Sequence, residues 1–302
     1  MNQSPENLAV IGAGNMGNAI ASLFAQNGWR VVLIDPSDDA LRRSKDRLLQ
    51  GLPVGSELAD LLTWRPSLDA ASAATLVIEA APEQLALKQR LFQQLEAVCD
   101  PHAVFATNTS GLSISALAEP LTHPERFVGT HFFTPADVIP LVEVVGGRKT
   151  APDTVDRVMT VLRKVGKLPV HVRQDIPGFI ANRLQHALAR EAMSLLEQGV
   201  ASAEDIDTVA KWSLGVRLAI TGPLEQRDLN GLDIHHAIAE YLYPQLESRQ
   251  TPPTVLAEKV AHGHLGVKTG QGFYAWDTPE KREALTRKEA ALRSLIKHLE
   301  SL

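Results

Sequence analysis

Two polar residues stand in apolar runs where buried strands are expected. His131 lies near the end of the run Phe127–Phe133, and Glu143 interrupts Leu141–Val145. A carboxylate at such a position is expected to be at least half buried, and a buried charge needs a partner. A histidine held by a carboxylate has a fixed tautomer and a stabilised cation, which suit a general base. The pair therefore predicts proton abstraction.

Both residues also have an ordinary structural interpretation. His131 could be a hydrogen-bonded histidine of the core, and Glu143 could point outward from its strand. The residue pattern by itself leaves the catalytic and the structural interpretation of this pair open.

A second constellation predicts a dinucleotide site. Gly12, Gly14 and Gly17 form the pattern G-x-G-x-x-G between a strand-like run and a helix-like segment. There the first glycine permits a tight turn, the second lets the backbone approach a pyrophosphate, and the third allows close packing of helix on strand. The phosphates would lie at the helix N-terminus, where free N–H groups attract anions.

Asp35 ends the next predicted strand, at the position where a carboxylate selects the cofactor. It would accept a hydrogen bond from a ribose 2′-hydroxyl and repel a 2′-phosphate, so NAD is favoured over NADP. A glycine turn that binds nothing is the alternative to this whole cofactor site.

The elements that must position these residues alternate between strands and helices in the first half of the chain. Predicted strands are Leu8–Ile11, Arg30–Asp35, Thr75–Ala80, Val104–Thr109, Phe127–Phe133, Leu141–Val145 and Leu168–Val172. Their continuous apolar character, with helical segments between them, indicates a parallel sheet covered on both faces. Beyond Asp175 few strand signals remain, and Pro177–Leu196 is predicted as one long amphipathic helix. We therefore predict an α/β fold, with a doubly wound Rossmann domain over residues 1–175 and an all-helical domain over 176–302.

Composition excludes several classes of protein. The 302 residues are 44% apolar and 22% charged, as in an ordinary globular protein. A net charge of -5 without a basic cluster argues against a nucleic-acid partner. No apolar run is long enough to predict a membrane span. The single cysteine, Cys99, excludes a disulfide framework within the chain and favours the reducing cytoplasm.

Five motifs together resemble the L-3-hydroxyacyl-CoA dehydrogenase family. They are Asn108-Thr-Ser110, His131-Phe-Phe-Thr-Pro, Leu-Val-Glu143-Val, Pro-Gly-Phe-Ile-Ala-Asn182-Arg and Lys268-Thr-Gly-Gln-Gly-Phe-Tyr. The resemblance runs from the glycine fingerprint to about residue 276. It implies a Rossmann domain followed by a helical dimerisation domain, NAD as cofactor, a homodimer and a place in fatty-acid metabolism.

The resemblance implies roles for four residues at the reacting carbon. His131 removes the proton from the 3-hydroxyl and Glu143 orients it, while Ser110 and Asn182 hydrogen-bond the reacting oxygen or its neighbours. Such donors favour the charge that develops on the oxygen. As structural alternatives, Ser110 could be a turn residue or a helix N-cap. Asn182 could be a solvent-facing polar residue inside a helix.

The resemblance also implies that Glu83 and Lys88 hold the nicotinamide ribose. These two residues are five positions apart, so they do not form a standard i,i+4 helical pair. Plain surface charges are therefore the alternative reading of both.

The chain departs from the family at several positions. Thr134 stands where the family has an asparagine near the nicotinamide. Pro36–Ala74 replaces a long basic helical hairpin that touches CoA, and its mixed charges make it a poorer CoA platform. Gly215–Glu225 is more similar to lambda-crystallin (a gulonate dehydrogenase) and carnitine dehydrogenase, which take free hydroxy acids. There Arg217 could bind a carboxylate, or it could be an arginine of the surface or a dimer interface.

We therefore expect an NAD-dependent oxidation of the 3-hydroxyl of a short-chain 3-hydroxyacyl-CoA. A CoA-free polar 3-hydroxy acid is the alternative substrate, and a non-catalytic NAD-binding or structural protein is a remote alternative. No tyrosine has a lysine four residues later, so the Tyr-x-x-x-Lys design is absent. We expect no metal site, because no cysteine joins the only grouped histidines, which are His235, His236, His262 and His264.

Overall fold

The computed structural model describes residues 6–53, 55–299 and 301. Internal contacts divide the chain into two compact units, Met1–Asn182 and Arg183–Leu302. The division falls a little after the predicted boundary at residue 175.

The first unit alternates strands with helices. Its strands are β1 (Asn7–Ile11), β2 (Arg30–Ile34), β3 (Leu62–Arg65), β4 (Leu76–Glu79), β5 (Val104–Thr107), β6 (Phe127–Phe132), β7 (Leu141–Gly146) and β8 (Leu168–Val172). Its helices are α1 (Asn15–Gln26), α2 (Asp38–Leu49), α3 (Glu57–Asp60), α4 (Leu85–Val98), α5 (Ile114–Leu117) and α6 (Pro152–Lys164). The predicted strands are present within one or two residues at each end.

One eight-stranded sheet runs through this unit in the order β3-β2-β1-β4-β5-β6-β7-β8. The first six strands of that order form the doubly wound Rossmann arrangement, whose order reverses between β1 and β4. The prediction of a wholly parallel sheet is wrong at one place, because β6 and β7 are antiparallel. Only residues 133–140 join them, whereas a parallel connection needs a crossover of a dozen or more residues.

The sheet is buried on both faces, as the continuous apolar strands predict. Along β1, Leu8 and Val10 pack into the core on one face with Phe24 of α1. The alternate residues Ala9 and Ile11 pack into the core on the other face, which includes Phe92 of α4. Side chains alternate across a strand, so a strand that is apolar at every position can fill both layers.

The segment 36–74 contains a strand that the sequence pattern did not predict. β3 pairs in parallel with β2, in a register that places Val31 beside Leu62 and Ile34 beside Arg65. Only Leu62 of the four residues is buried. A short edge strand with polar alternate positions gives little hydrophobic signal, which explains why it was missed.

The long helix predicted from Pro177 begins later, at α7 (Ala181–Glu197). Gly178 and Phe179 have positive φ angles of 77° and 49°, which are incompatible with a right-handed helix. The prediction is therefore wrong for residues 177–180, which form a turn before α7.

The second unit is helical, apart from two isolated β-bridges among residues 266–275. After α7 it contains α8 (Ala203–Val209), a π-helical turn (Ala210–Gly215), α9 (Val216–Leu218), α10 (Pro223–Asn230), α11 (Leu232–Leu242), α12 (Thr254–Ala261) and α13 (Pro279–Leu299). In the described residues, no helix combines the length and apolar character of a membrane span.

Two polar clusters hold loops of this unit against its helices. Arg249 forms ion pairs with Glu197 of α7 at 2.7 Å and with Glu247 at 2.6 Å. Hydrogen bonds from the side chain and the backbone N–H of Arg249 lower the pKa of Glu247 to about 2. The hydroxyl of Tyr274, in the C-terminal motif, donates to Asp207 of α8 at 2.8 Å. That motif therefore anchors the chain to α8.

Candidate active site

The predicted site residues of the Rossmann unit gather at one edge of the sheet. The glycine fingerprint follows β1, Asp35 follows β2, Glu83 follows β4, Ser110 follows β5 and His131 lies at the end of β6. The carboxyl ends of parallel strands form the ligand-binding crevice of a doubly wound sheet. The fold therefore brings together groups that are far apart in sequence.

The glycine fingerprint forms an open cradle. A Cβ at Gly17 would lie 1.9 Å from the carbonyl oxygen of Gly12, so this close approach of helix and loop requires glycine. A Cβ at Gly14 would meet nothing within 4 Å, which leaves open space beside the loop. No side chain caps α1, so its first-turn N–H groups are available to an anion. These features fit the pyrophosphate of a dinucleotide.

Asp35 is held beside this cradle. Its Oδ2 accepts a hydrogen bond from the N–H of Ala13 at 3.0 Å, and its Oδ1 accepts one from the N–H of Ser37 at 2.9 Å. A carboxylate has about four acceptor positions, so it retains capacity for a ribose hydroxyl.

A buried ion pair lies beside Glu83 at the crevice, and sequence reasoning missed one of its members. Glu79, at the end of β4, accepts from Lys88 Nζ at 2.7 Å and from Thr107 Oγ1 at 2.6 Å. Burial raises the pKa of Glu79 above its ordinary 4.5, and its hydrogen bonds offset only part of this. The overlooked signal was the one that marked Glu143, a carboxylate on an apolar strand.

Lys88 is 1% exposed, so its reading as a surface charge is wrong. Its Nζ also lies 3.3 Å from Glu83 Oε2, although the sequence spacing argued against a helical pair. The two residues meet because Glu83 precedes α4, where the backbone is not helical. Lys88 therefore contacts the crevice through Glu83.

Glu83 links two loops of the crevice. Its Oε1 accepts from the hydroxyl of Thr109 at 2.5 Å and from the N–H of Ser110 at 2.9 Å. Burial raises the pKa of Glu83, but these hydrogen bonds and Lys88 outweigh it and hold the pKa below 4.5. The carboxylate is ionised and its side chain is 44% exposed.

His131 and Glu143 face each other across the antiparallel pair β6–β7. They are direct partners in the strand register, and His131 Nδ1 lies 2.8 Å from Glu143 Oε2. Glu143 is 1% exposed, so its reading as an outward strand residue is wrong. The ring of His131 also packs on Phe133 and Phe179, with centroid distances of 4.4 and 5.8 Å.

The turn before α7 completes the surroundings of Glu143. Oε1 of Glu143 accepts hydrogen bonds from the N–H groups of Ile180 and Ala181, each at 2.9 Å. Burial raises the pKa of Glu143, but the hydrogen bonds from His131 and from these two N–H groups outweigh it and lower the pKa below 4.5. An ionised carboxylate only accepts hydrogen bonds, so His131 Nδ1 carries a proton, and Nε2 is the nitrogen with the free lone pair when the ring is neutral.

Ser110 and Asn182 are joined directly. The side-chain amide of Asn182 donates to the carbonyl oxygen of Ser110 at 2.7 Å. The reading of Ser110 as an N-cap is wrong, because Ser113 caps α5. Asn182 is partly buried in the first turn of α7 rather than in a helix interior.

Two residues singled out as departures from the family lie in different units. Thr134 is in the Rossmann unit, and its hydroxyl lies 3.3 Å from the sulfur of Met16 in the cofactor loop. Arg217 is exposed in the helical unit, and its Nε donates to the carbonyl oxygen of Ser213 at 2.7 Å. Across the described residues, no group of three metal-ligating side chains forms a metal site.

A doubly wound sheet with a glycine cradle and an acid after β2 defines an NAD-binding oxidoreductase. The family model "3-hydroxyacyl-CoA dehydrogenase, NAD binding domain" matches residues 7–176, and the model of the family's C-terminal domain matches residues 178–276. The chain therefore belongs to the 3-hydroxyacyl-CoA dehydrogenase family and is an NAD-dependent dehydrogenase.

Two kinds of relative share this fold. The chain is 36% identical to 5-formyl-3-hydroxy-2-methylpyridine 4-carboxylate 5-dehydrogenase of Mesorhizobium japonicum, over 96% of this chain and 98% of that one. A crystal structure of a dehydrogenase of that substrate, described as an NAD+-dependent dismutase, matches with a TM-score of 0.88 and 34% identity over 98% and 99% of the two chains. The crystal structure of (S)-3-hydroxybutyryl-CoA dehydrogenase from Ralstonia eutropha matches with a TM-score of 0.74 and 35% identity over 91% and 100%.

The lowered pKa of Glu143 predicts how stability depends on pH. A carboxyl whose pKa is lower in the folded than in the unfolded protein contributes stability above the unfolded pKa, and loses it as pH falls through the folded pKa. We expect Glu143→Gln to reduce the free energy of unfolding by about 2 kcal/mol at neutral pH. The difference from wild type should shrink below pH 4.5, the ordinary value for this group. Urea unfolding at a series of pH values measures this, and a difference that is unchanged on acidification would contradict it.

Proposed function

We propose that the protein oxidises a secondary alcohol to a ketone, with His131 Nε2 as the general base. The observation that carries this is the buried chain from His131 through Glu143 to the N–H groups of Ile180 and Ala181. Bound NAD+ supplies the hydride acceptor. As the C–H hydride leaves, the O–H proton passes to Nε2, and the positive imidazolium is stabilised by ionised Glu143.

Ser110 and Asn182 are proposed to hold the reacting oxygen. The hydrogen bond between them fixes the end of β5 to the start of α7, two segments that flank the His131 strand. A hydroxyl and an amide can donate to the oxygen as charge develops on it.

Glu83 is proposed to bind the nicotinamide ribose, because its ionised carboxylate is partly exposed in the crevice. Lys88 is proposed to act as a positioning residue, since its buried ammonium holds Glu83 and Glu79 rather than facing solvent. The two buried charges of this cluster, Glu79 and Lys88, are then paired with each other, as burial of a charge requires.

Replacing the base separates catalysis from cofactor binding. We expect His131→Gln to lower kcat by about 10²- to 10⁴-fold, the usual contribution of a positioned base. NAD+ affinity, measured by calorimetry, should stay within about twofold, because His131 is not part of the glycine cradle. The matched control is His123→Gln, since His123 pairs with Glu125 at the surface, and it should retain wild-type turnover. Full activity in His131→Gln would refute the mechanism.

We further propose that the substrate is a small hydroxy carboxylate without CoA. In place of a long basic hairpin, the segment 36–74 folds as α2, a single-turn α3 and β3. The greater similarity of fold to the pyridine-carboxylate enzyme, with a TM-score of 0.88 against 0.74, supports the same reading.

A short-chain 3-hydroxyacyl-CoA is the second candidate substrate. It was the expectation from the sequence, and the family match over residues 7–276 favours it. In that case the protein would serve fatty-acid metabolism.

A paired substrate panel distinguishes these two classes. One arm is 3-hydroxybutyryl-CoA with longer homologues, and the other is 3-hydroxybutyrate, carnitine and gulonate. Formation of NADH is followed by absorbance. We expect turnover of a free acid with little or none of the thioesters. Efficient turnover of a thioester would instead establish the second candidate and show that CoA binding does not need the long arm.

We also propose a homodimer formed through the helical unit. Its surface exposes many large apolar side chains, among them Trp212, Leu224, Leu229 and Tyr241, which are 67–82% exposed. Such surface usually marks an interaction site, and the family's helical domain favours a second copy as the partner.

We expect Leu224→Glu to shift the sedimentation equilibrium from dimer to monomer. Glu is favourable in the first turn of α10, so the helix should persist. Leu168→Glu, on strand β8, is the control, and a wild-type monomer would contradict the proposal.

The location is proposed to be the cytoplasm. Cys99 is free and buried, and burial raises the pKa of its thiol to about 11. Such a thiol is unreactive and needs no oxidising compartment.

A further inference from the structure

Helices α1 and α2 are joined by two polar contacts that repeat at the same spacing. The hydroxyl of Ser44 donates to Asn18 Oδ1 at 2.5 Å. Three residues further along α2, Arg47 Nη1 donates to Asn15 Oδ1 at 2.8 Å, three residues earlier on α1. Residues three apart share a helix face, so these contacts form two successive steps of one helix–helix seam.

The inner contact fixes the seam to the cofactor loop. Asn18 is 5% exposed, and its side-chain amide donates to the carbonyl oxygens of Ala13 at 2.9 Å and Gly14 at 2.8 Å. Ser44 is 1% exposed and accepts from the indole N–H of Trp64 at 2.9 Å. A buried chain thus runs from β3 through α2 to the glycine loop, and it sets the position of α2 against α1.

The outer contact lies at the place where the cofactor's phosphates are expected. Asn15 is the first residue of α1, directly after Gly14, and the first turn of this helix contains no acidic residue. The hydrogen bond to Asn15 therefore holds the guanidinium of Arg47 beside the N-terminus of α1. A guanidinium has five N–H donors, and the hydrogen bond to Asn15 uses one.

The ion pairing of α2 distinguishes Arg47 from its neighbours. Arg42 and Arg43 both pair with Asp39 on their own helix. Among the residues that the structure describes, no carboxylate forms an ion pair with Arg47. Arg47 is thus an uncompensated cation, held in place, next to the glycine cradle.

We propose that Arg47 is a cofactor-binding residue that contacts the pyrophosphate of NAD. It adds a positive charge to the N–H groups of the glycine loop, and Asn15 orients it. Arginine suits this role because its planar donors match phosphate oxygens. The opposing interpretation is that Arg47 merely stabilises the last turn of α2, where a cation is favourable.

The test measures cofactor affinity rather than activity. We expect Arg47→Met to raise the Kd of NAD+, determined by calorimetry at low salt, by about fivefold. The increase should fall toward onefold at about 0.5 M salt, because salt screens exposed charges. Arg163→Met is the matched control, since Arg163 is an exposed arginine in the last turn of α6. It should leave the Kd unchanged.

Two ligands separate phosphate binding from an indirect effect on the loop. ADP-ribose contains the pyrophosphate and adenosine lacks it, so only ADP-ribose should lose affinity in Arg47→Met. Arg47→Lys should retain part of the affinity and the salt dependence, because it keeps the charge but loses the planar fork. An unchanged Kd for NAD+ at low salt, or equal losses for ADP-ribose and adenosine, would overturn the proposal.

Discussion

The arrangement of the catalytic crevice depends on one buried carboxylate. Glu143 is surrounded by three donors from two parts of the chain: the imidazole of His131 on β6, and the N–H groups of Ile180 and Ala181 where the turn meets α7. An unpaired charge at this depth would cost several kcal/mol, so the loss of any of these contacts would destabilise the others. The folding of β6, of β7 and of the start of α7 is thereby coupled, and the imidazole is held in a single tautomer.

A second buried charge organises the cofactor side of the crevice in a different way. Glu79 is neutralised by a side chain, Lys88, whereas Glu143 is stabilised mainly by backbone and imidazole N–H groups. Lys88 also pairs with Glu83, and Glu83 holds the loop of Thr109 and Ser110 through two hydrogen bonds. Loops that would be mobile by themselves are therefore tied to the rigid ends of β4 and β5, as a site with precise geometry requires.

The segment between β2 and β4 supports the cofactor loop. Its compact form does not provide a long arm for a large substrate. It instead supplies β3 and α2, whose Trp64 and Ser44 hold Asn18 and the glycine loop. The cofactor loop is thus held by these neighbouring side chains as well as by its own turn.

The sequence by itself determined the Rossmann fold and the glycine cradle, and it marked His131 and Glu143 as polar residues on apolar strands. These follow from local signals: apolar runs of strand length, glycines at fixed spacing, and polar residues that interrupt buried strands. The same signal at Glu79 was available and was overlooked. The edge strand β3 and the turn at Gly178 and Phe179 were not predictable from local pattern, because exposed or left-handed backbone has no hydrophobic period.

Only the tertiary structure decided the connections between segments. The antiparallel register of β6 and β7 placed His131 opposite Glu143, and burial turned Lys88 from an apparent surface charge into an internal counter-ion. The packing of α2 on α1 also brought Arg47 to Asn15, which is 32 residues away in the sequence. Such contacts join side chains whose proximity depends on how whole elements pack. Sequence spacing shows which residues are neighbours along one helix or strand. It does not show which residues of two different elements become neighbours when those elements pack.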